Sequence, residues 1–171
     1  MKLLTAAAAC LALAAVLVGG VAASGQLAMC QGSQLAPTFK VVPGSPGAGN
    51  IVYTLRVTNK GSSTCAVTGL PHVQLYKRNG TKNPTRVRAA FPGALTAVLV
   101  RLSPGGGAQA TARFSPDVPG PGEGAPGKPC EPISYWIRVS AGNSWSARGR
   151  IRPATSVCEH GQMQFKAYSP S

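Results

Sequence analysis

The stretch IVYTLRVTN, Ile51 to Asn59, decides the fold class. Ile51, Tyr53, Leu55 and Val57 alternate with Val52, Thr54, Arg56 and Thr58, a period of two that gives a strand one buried face. Lys60 and Gly61 then end it in a turn. The same period recurs downstream. Val73 and Leu75 carry it to Arg78, where Asn79 and Gly80 supply the positive φ angles of a tight hairpin. Val98, Val100 and Leu102 form a segment stopped by Pro104 and Gly105 to Gly107. Next, Ala108, Ala110, Ala112 and Phe114 alternate with Gln109, Thr111 and Arg113, and these two segments are expected to be neighbours. Tyr135, Ile137 and Val139 alternate with Trp136 and Arg138, and an edge pair is expected at 146–152 and 162–167. Ala89 to Leu99 is alanine-rich enough for a helix, but Pro92, Gly93, Thr96 and Val98 argue against one. The sum is about eight short strands bounded by Gly, Pro and Asn, the pattern of an all-β sandwich or barrel.

Upstream, Lys2 precedes an uncharged run from Leu3 to Val18 and then Gly19, Gly20, Val21, Ala22 and Ala23. A basic start, an apolar segment and small residues at the cut make an export signal, with cleavage expected between Ala23 and Ser24. A permanent membrane anchor and lipid attachment at Cys30 are the alternatives. Residues 1–23 are therefore read as a signal peptide and 24–171 as one domain, within which the Pro/Gly-dense residues 115–129 form a long loop.

Cys10 leaves with the leader, so the mature chain keeps Cys30, Cys65, Cys130 and Cys158, an even set suited to an oxidising compartment. Four thiols allow three pairings. Cys30 with Cys65 and Cys130 with Cys158 is favoured, because each pair brackets one end of the domain, but the sequence leaves the choice open. With no C-x-x-C pair, no metal cluster is expected at the cysteines.

The string YTLRVTNKGSSTCAVTGLPHVQL, Tyr53 to Leu75, resembles the signature of a family of exported actinobacterial domains designated domain of unknown function 4232. Its features here are Cys30, a strand ending in Thr58, Asn59 and Gly61, then Cys65, Gly69 and Pro71. A later Leu-x-Pro-Gly-Gly turn matches Leu102, Pro104, Gly105 and Gly106, and the last two cysteines match Cys130 and Cys158. The resemblance spans essentially the whole mature chain. It implies an Ig-like β-sandwich with two disulfides and no activity, and a fold by itself licenses none.

Catalytic and metal chemistry find little purchase. The mature chain has four carboxylates, Asp117, Glu123, Glu131 and Glu159, and two histidines, His72 and His160. Asp117 and Glu123 lie in the Pro/Gly loop, where a flexible chain would fix neither. His72 has no partner at metal-ligand spacing. Glu159 and His160 follow Cys158 and are the one place a hydrolase could centre, but they read more simply as solvated residues beside a disulfide. There is no G-x-S-x-G. The expectation is therefore no catalytic residue, no metal, no cofactor and a monomeric, non-enzymatic extracytoplasmic module with a binding or structural role at the cell envelope, secreted or retained there.

Charge points to a partner class. The chain carries a formal +13, and without Lys2 sixteen basic residues face four acidic ones, a net +12. Such a surface is drawn to anionic envelope polymers, anionic lipid or nucleic acid. The cations fall in two groups, Lys77, Arg78, Lys82, Arg86 and Arg88 around the hairpin, and Arg148, Arg150 and Arg152 near the end. On a strand the latter three share a face at about 7 Å intervals, close to phosphate spacing. A solvated strand face is the plainer reading of that row. Binding single-stranded nucleic acid would need interleaved aromatics, of which Trp145 is the sequence neighbour.

Overall fold

The computed structural model describes residues 27–94, 98–124, 129–141, 144–145 and 147–171; the expected leader lies outside them. The described chain is almost entirely β. Its strands are β1 (Leu35–Val41), β2 (Ile51–Asn59), β3 (Cys65–Val67), β4 (His72–Tyr76), β5 (Arg86–Ala89), β6 (Val100–Leu102), β7 (Gly107–Phe114), β8 (Ser134–Ala141), β9 (Ser144–Trp145), β10 (Gly149–Thr155), β11 (Gln162–Phe165) and β12 (Ser169–Pro170).

Hydrogen bonding joins eight of them in one path, β4-β8-β10-β1-β2-β7-β11-β5, with β9 added to β8 and β12 to β7. β3 and β6 pair separately. The all-β expectation therefore holds, while the strands outnumber the eight expected, and the eight on this path form one continuous, nearly closed sheet beside the separate β3–β6 pair. β1 makes the continuity. It pairs antiparallel with β2 along its whole length and parallel with β10 at Phe39↔Ile151 and Lys40↔Arg152.

Three local expectations are corrected. The segment ending at Leu102 and the one starting at Gly107 are not partners, since β6 pairs with β3 and β7 with β2, β11 and β12. Between them Gly105 adopts φ 78° and the Gly106 N–H closes on the Ser103 carbonyl, so the chain leaves one sheet for the other. β10 and β11 are not an edge pair either, because β10 lies between β8 and β1, and β11 between β7 and β5. Lastly, Asn79 and Gly80 do make a turn, closed by Lys77 N–H to Thr81 O at 2.8 Å, but only Gly80 takes a positive φ, 84°. The returning chain, however, contributes only the bridge Tyr76↔Lys82, and β4 takes β8 as its partner. Of the alanine-rich stretch, 92–94 is a single 3-10 turn, and 95–97 lie outside the described residues.

Alternation explains the core. β2 buries Tyr53, Leu55 and Val57, and across the ladder these face Ala112, Ala110 and Ala108 of β7. Small residues beside large ones leave room for an aromatic group in which Phe39 lies 4.9 Å from Tyr53, and Tyr53 lies 5.2 Å from Phe114, centroid to centroid. Phe165 of β11 joins it, 6.3 Å from Phe39. Each such side chain contributes about 1.5 to 3 kcal/mol by leaving water. The Tyr53 hydroxyl donates to the Pro153 carbonyl at 2.9 Å and so ties β2 to β10.

The disulfides are Cys30–Cys65 and Cys130–Cys158, spanning 35 and 28 residues. Loops of that length stabilise by about 3 to 4 kcal/mol each in the chain-entropy picture. The first ties the chain ahead of β1 to β3; the second ties the loop before β8 to the turn before β11. Among the described residues no strand lies between β7 and β8; residues 125–128 of the Pro/Gly-rich stretch lie outside them.

Candidate functional site

On β10, Gly149 and Ile151 are buried while Arg150 and Arg152 are exposed, and Arg148 just ahead of the strand is exposed as well. The expected row of arginines therefore stands on the outside of the sheet. Its neighbour decides its character. β8 runs antiparallel alongside with Trp136 opposite Arg150, and β4 follows with Tyr76 opposite Trp136. The guanidinium carbons of Arg148 and Arg150 lie 4.7 and 4.8 Å from the Trp136 ring centroid. Arg78, from the hairpin, lies 4.5 Å over Tyr135 and donates from Nη2 to its hydroxyl at 3.2 Å. Guanidinium against ring is attractive, and an arginine held flat keeps its edge donors in a fixed fork.

Arg78, Tyr135, Trp136, Arg150 and Arg152 line one open groove, and Lys40 of β1 lines another with Trp136 and Arg148. The two basic groups of the sequence therefore meet, but only in part. Arg86 and Arg88 belong to β5 at the opposite end of the strand path, where Arg88 Nε donates to Gln162 Oε1 at 2.9 Å. Lys82 is exposed beyond the turn, and Lys77 acts electrostatically on Glu131. The aromatic partner is Trp136, whose role depends on the long-range β8–β10 register; the side chain of Trp145 lies outside the described residues. The outward alternation of Trp136 with Arg138 is the one local sign of it in the sequence.

A second constellation forms at the other disulfide. Glu123 is not loose. Its carboxylate accepts the backbone N–H groups of Gly120 at 2.8 Å, of Glu159 at 2.6 Å, and of His160, and its side chain is 2 % exposed. Glu159 and His160 adopt φ values of 56° and 55°, which turns both amides toward that carboxylate as an anion nest. The two residues adjacent in sequence part company: Glu159 Oε2 accepts from Gln162 Nε2 at 2.8 Å, whereas His160 Nδ1 lies 3.4 Å from Glu123 Oε1 and 3.8 Å from Glu131 Oε1. The hydrolase pair considered from sequence, Glu159 with His160, is therefore not the pair the fold assembles.

Burial would raise the Glu123 carboxyl, but the Gly120, His160 and Glu159 amides and a hydrogen bond with Glu131 together hold it below its ordinary range. Glu131 moves the other way, pushed up by burial, by that hydrogen bond and by the Glu123 charge. One imidazole nitrogen and two carboxylate oxygens lie within 4.8 Å of one another here. Sequence reading misses the trio because it joins residues from three separated segments.

The profile of the family described as domain of unknown function, DUF4232, matches residues 30–165. The chain belongs to that family. The match begins at the first disulfide cysteine and ends with β11, so both crosslinks of this DUF4232 domain fall within it. No curated protein and no solved structure matches the chain. Two disulfides mark the DUF4232 domain as one that matures in an oxidising, extracytoplasmic compartment. No helix among the described residues is long and apolar enough to cross a membrane.

Proposed function

We propose that this domain is a non-enzymatic module of the cell envelope, exported by a leader ending at Ala23, that holds a phosphate-bearing anionic polymer on the face built by Arg78, Arg148, Arg150 and Arg152. The observation that carries the reading is the stacking of three of these arginines on Tyr135 and Trp136. A cationic face whose charges merely dissolve the protein has no need to fix them, whereas fixed guanidinium forks suit bidentate anions. Among the described residues none of the four forms an ion pair with a carboxylate, since the ion pairs present involve His160. The rings carry guanidinium groups rather than standing bare, so the surface offers donors more than stacking platforms, which favours phosphate over nucleobases.

The test is binding of inorganic polyphosphate to the purified protein across a salt series. Affinity should fall linearly in log–log form, and Arg150→Gln with Arg152→Gln should lower the slope by about two, one for each phosphate no longer neutralised. A protein that ignores the polymer at low salt, or a double variant with the original slope, overturns the proposal.

A further inference from the structure

His160 Nε2 lies 3.2 Å from the Pro121 carbonyl oxygen. A carbonyl can only accept, so Nε2 carries the proton, and in the neutral ring Nδ1 presents a lone pair. That lone pair faces Glu123 Oε1 and Glu131 Oε1, both acceptors when ionised. Three acceptors converging on one point repel one another unless a positive species sits between them: a proton on the imidazole, a proton shared between Glu131 and Glu123, or a metal ion. The surroundings favour the metal. An imidazole that hands its far N–H to a backbone carbonyl, fixing the ring and its tautomer, is the usual outer-shell arrangement of a metal-bound histidine.

The spacings agree. Zinc holds nitrogen and oxygen ligands at roughly 2.0 to 2.2 Å, so two ligand atoms of a tetrahedral site are separated by about 3.4 Å. Nδ1 lies 3.4 and 3.8 Å from the two carboxylate oxygens, and all three ligand atoms fall within 4.8 Å.

We propose that Glu123, Glu131 and His160 form a binding site for one divalent transition-metal ion, zinc being the best match, with a fourth position left for water or for a donor from a partner. Calcium fits poorly, since it takes six or more oxygens and no imidazole. Magnesium fits no better, as it demands an octahedral oxygen shell. A mixed nitrogen and oxygen set with three protein ligands suits zinc and its neighbours in the first transition row.

The supports are rigid. Glu123 is pinned by three backbone amides, the Glu131 carbonyl accepts from Ser156 Oγ at 2.8 Å, and Cys130–Cys158 crosslinks the segments carrying Glu131 and His160. Two of the four carboxylates of a strongly basic mature chain, Glu123 and Glu131, meet at this loop around one imidazole. The site is separate from the arginine face, and neither proposal depends on the other.

Chelator-treated full-length protein is titrated with zinc chloride by calorimetry at neutral pH, alongside Glu131→Gln and His160→Ala, while the imidazole ¹⁵N resonances of His160 are followed. The expected result is stoichiometric zinc binding that weakens at least about tenfold in each variant. Nδ1 should shift on binding while Nε2 keeps its proton, and calcium chloride should not compete. If His160→Ala fails to fold in the absence of metal, Glu131→Gln and the ¹⁵N shifts decide the matter. No zinc binding up to millimolar concentration would mean that a proton occupies the site. Affinity unchanged in the folded variants would place the metal elsewhere, for instance at His72. Either result overturns the proposal.

Discussion

Asn59 Nδ2 donates to the carbonyl oxygen of Leu102 at 3.0 Å, across 43 residues of chain. The same amide reaches the Ser63 carbonyl at 2.9 Å, and Asn59 Oδ1 accepts the Gly61 N–H at 2.9 Å. The backbones join in as well, Asn59 N–H to Gly106 O at 2.9 Å and Gly105 N–H to Asn59 O at 2.8 Å. The Thr-Asn-x-Gly and Leu-x-Pro-Gly-Gly segments are thus two halves of one hydrogen-bonded knot around the buried Asn59 and Leu102, where β2 passes the end of β6. Residues that mark the family are here accounted for by hydrogen bonding within the fold.

Replacing Asn59 with Ala strands two carbonyls and an amide at a position with no solvent exposure. The expected cost is about 2 to 4 kcal/mol in urea unfolding. Asn59→Asp should do no better, since a carboxylate cannot donate to either carbonyl. A loss below about half a kcal/mol, the range of an ordinary surface change, would show that the knot is marginal.

How much of this is legible in the sequence depends on range. The β2 alternation, the Gly80 turn and the two sulfur crosslinks rest on neighbours in sequence or on an even cysteine count, and the structure bears them out. Strand partners are not legible. That β6 seeks β3 and that β10 lies inside the sheet depend on how layers close, which alternation alone does not encode. Trp136 is hidden as the platform for Arg148 and Arg150 for the same reason, because the β8–β10 register is long-range. The Pro/Gly surroundings of Glu123 suggest a loose side chain, yet amides from residues 36 and 37 positions away hold it.

Trp136→Ala removes the ring beneath two arginines while leaving every formal charge in place. If stacking fixes the guanidinium forks, polyphosphate affinity at constant salt should fall several-fold while the salt slope stays near that of the wild type. Arg86→Gln on β5, a residue that lines neither groove, serves as the comparison. Equal losses from the two substitutions would reduce the binding to diffuse charge.

Gly149 begins β10 where β1 passes. A Cβ at 149 would overlap the Pro37 carbonyl group, which is backbone and cannot swing aside. Gly149→Ala should therefore cost at least about 1 to 3 kcal/mol, as overpacking does, and lower the melting temperature accordingly. Gly47, which has open space around the same added atom, is the control at which alanine should be tolerated. A Gly149→Ala protein as stable as the wild type would contradict the close approach of β1 and β10.

Tyrosine burial gives the stability a limit at high pH. Burial raises the Tyr53 hydroxyl above its usual range, partly offset by a hydrogen bond with Thr155, and burial alone raises Tyr168 further. Above a pH of about 10 the unfolded chain loses these protons while the folded chain keeps them, so the native state binds more protons and stability falls with rising pH. Each group contributes a slope of up to about 1.4 kcal/mol per pH unit, beginning near the unfolded value and ending only when the folded group titrates. Lysines ionise in the same region, so the informative quantity is the difference between wild type and Tyr168→Phe in urea unfolding at successive pH values. The two curves should run parallel through pH of about 9 and converge or cross beyond about 10, because phenylalanine has no proton to lose. Curves that stay parallel into the alkaline range would mean that Tyr168 ionises as readily in the fold as outside it.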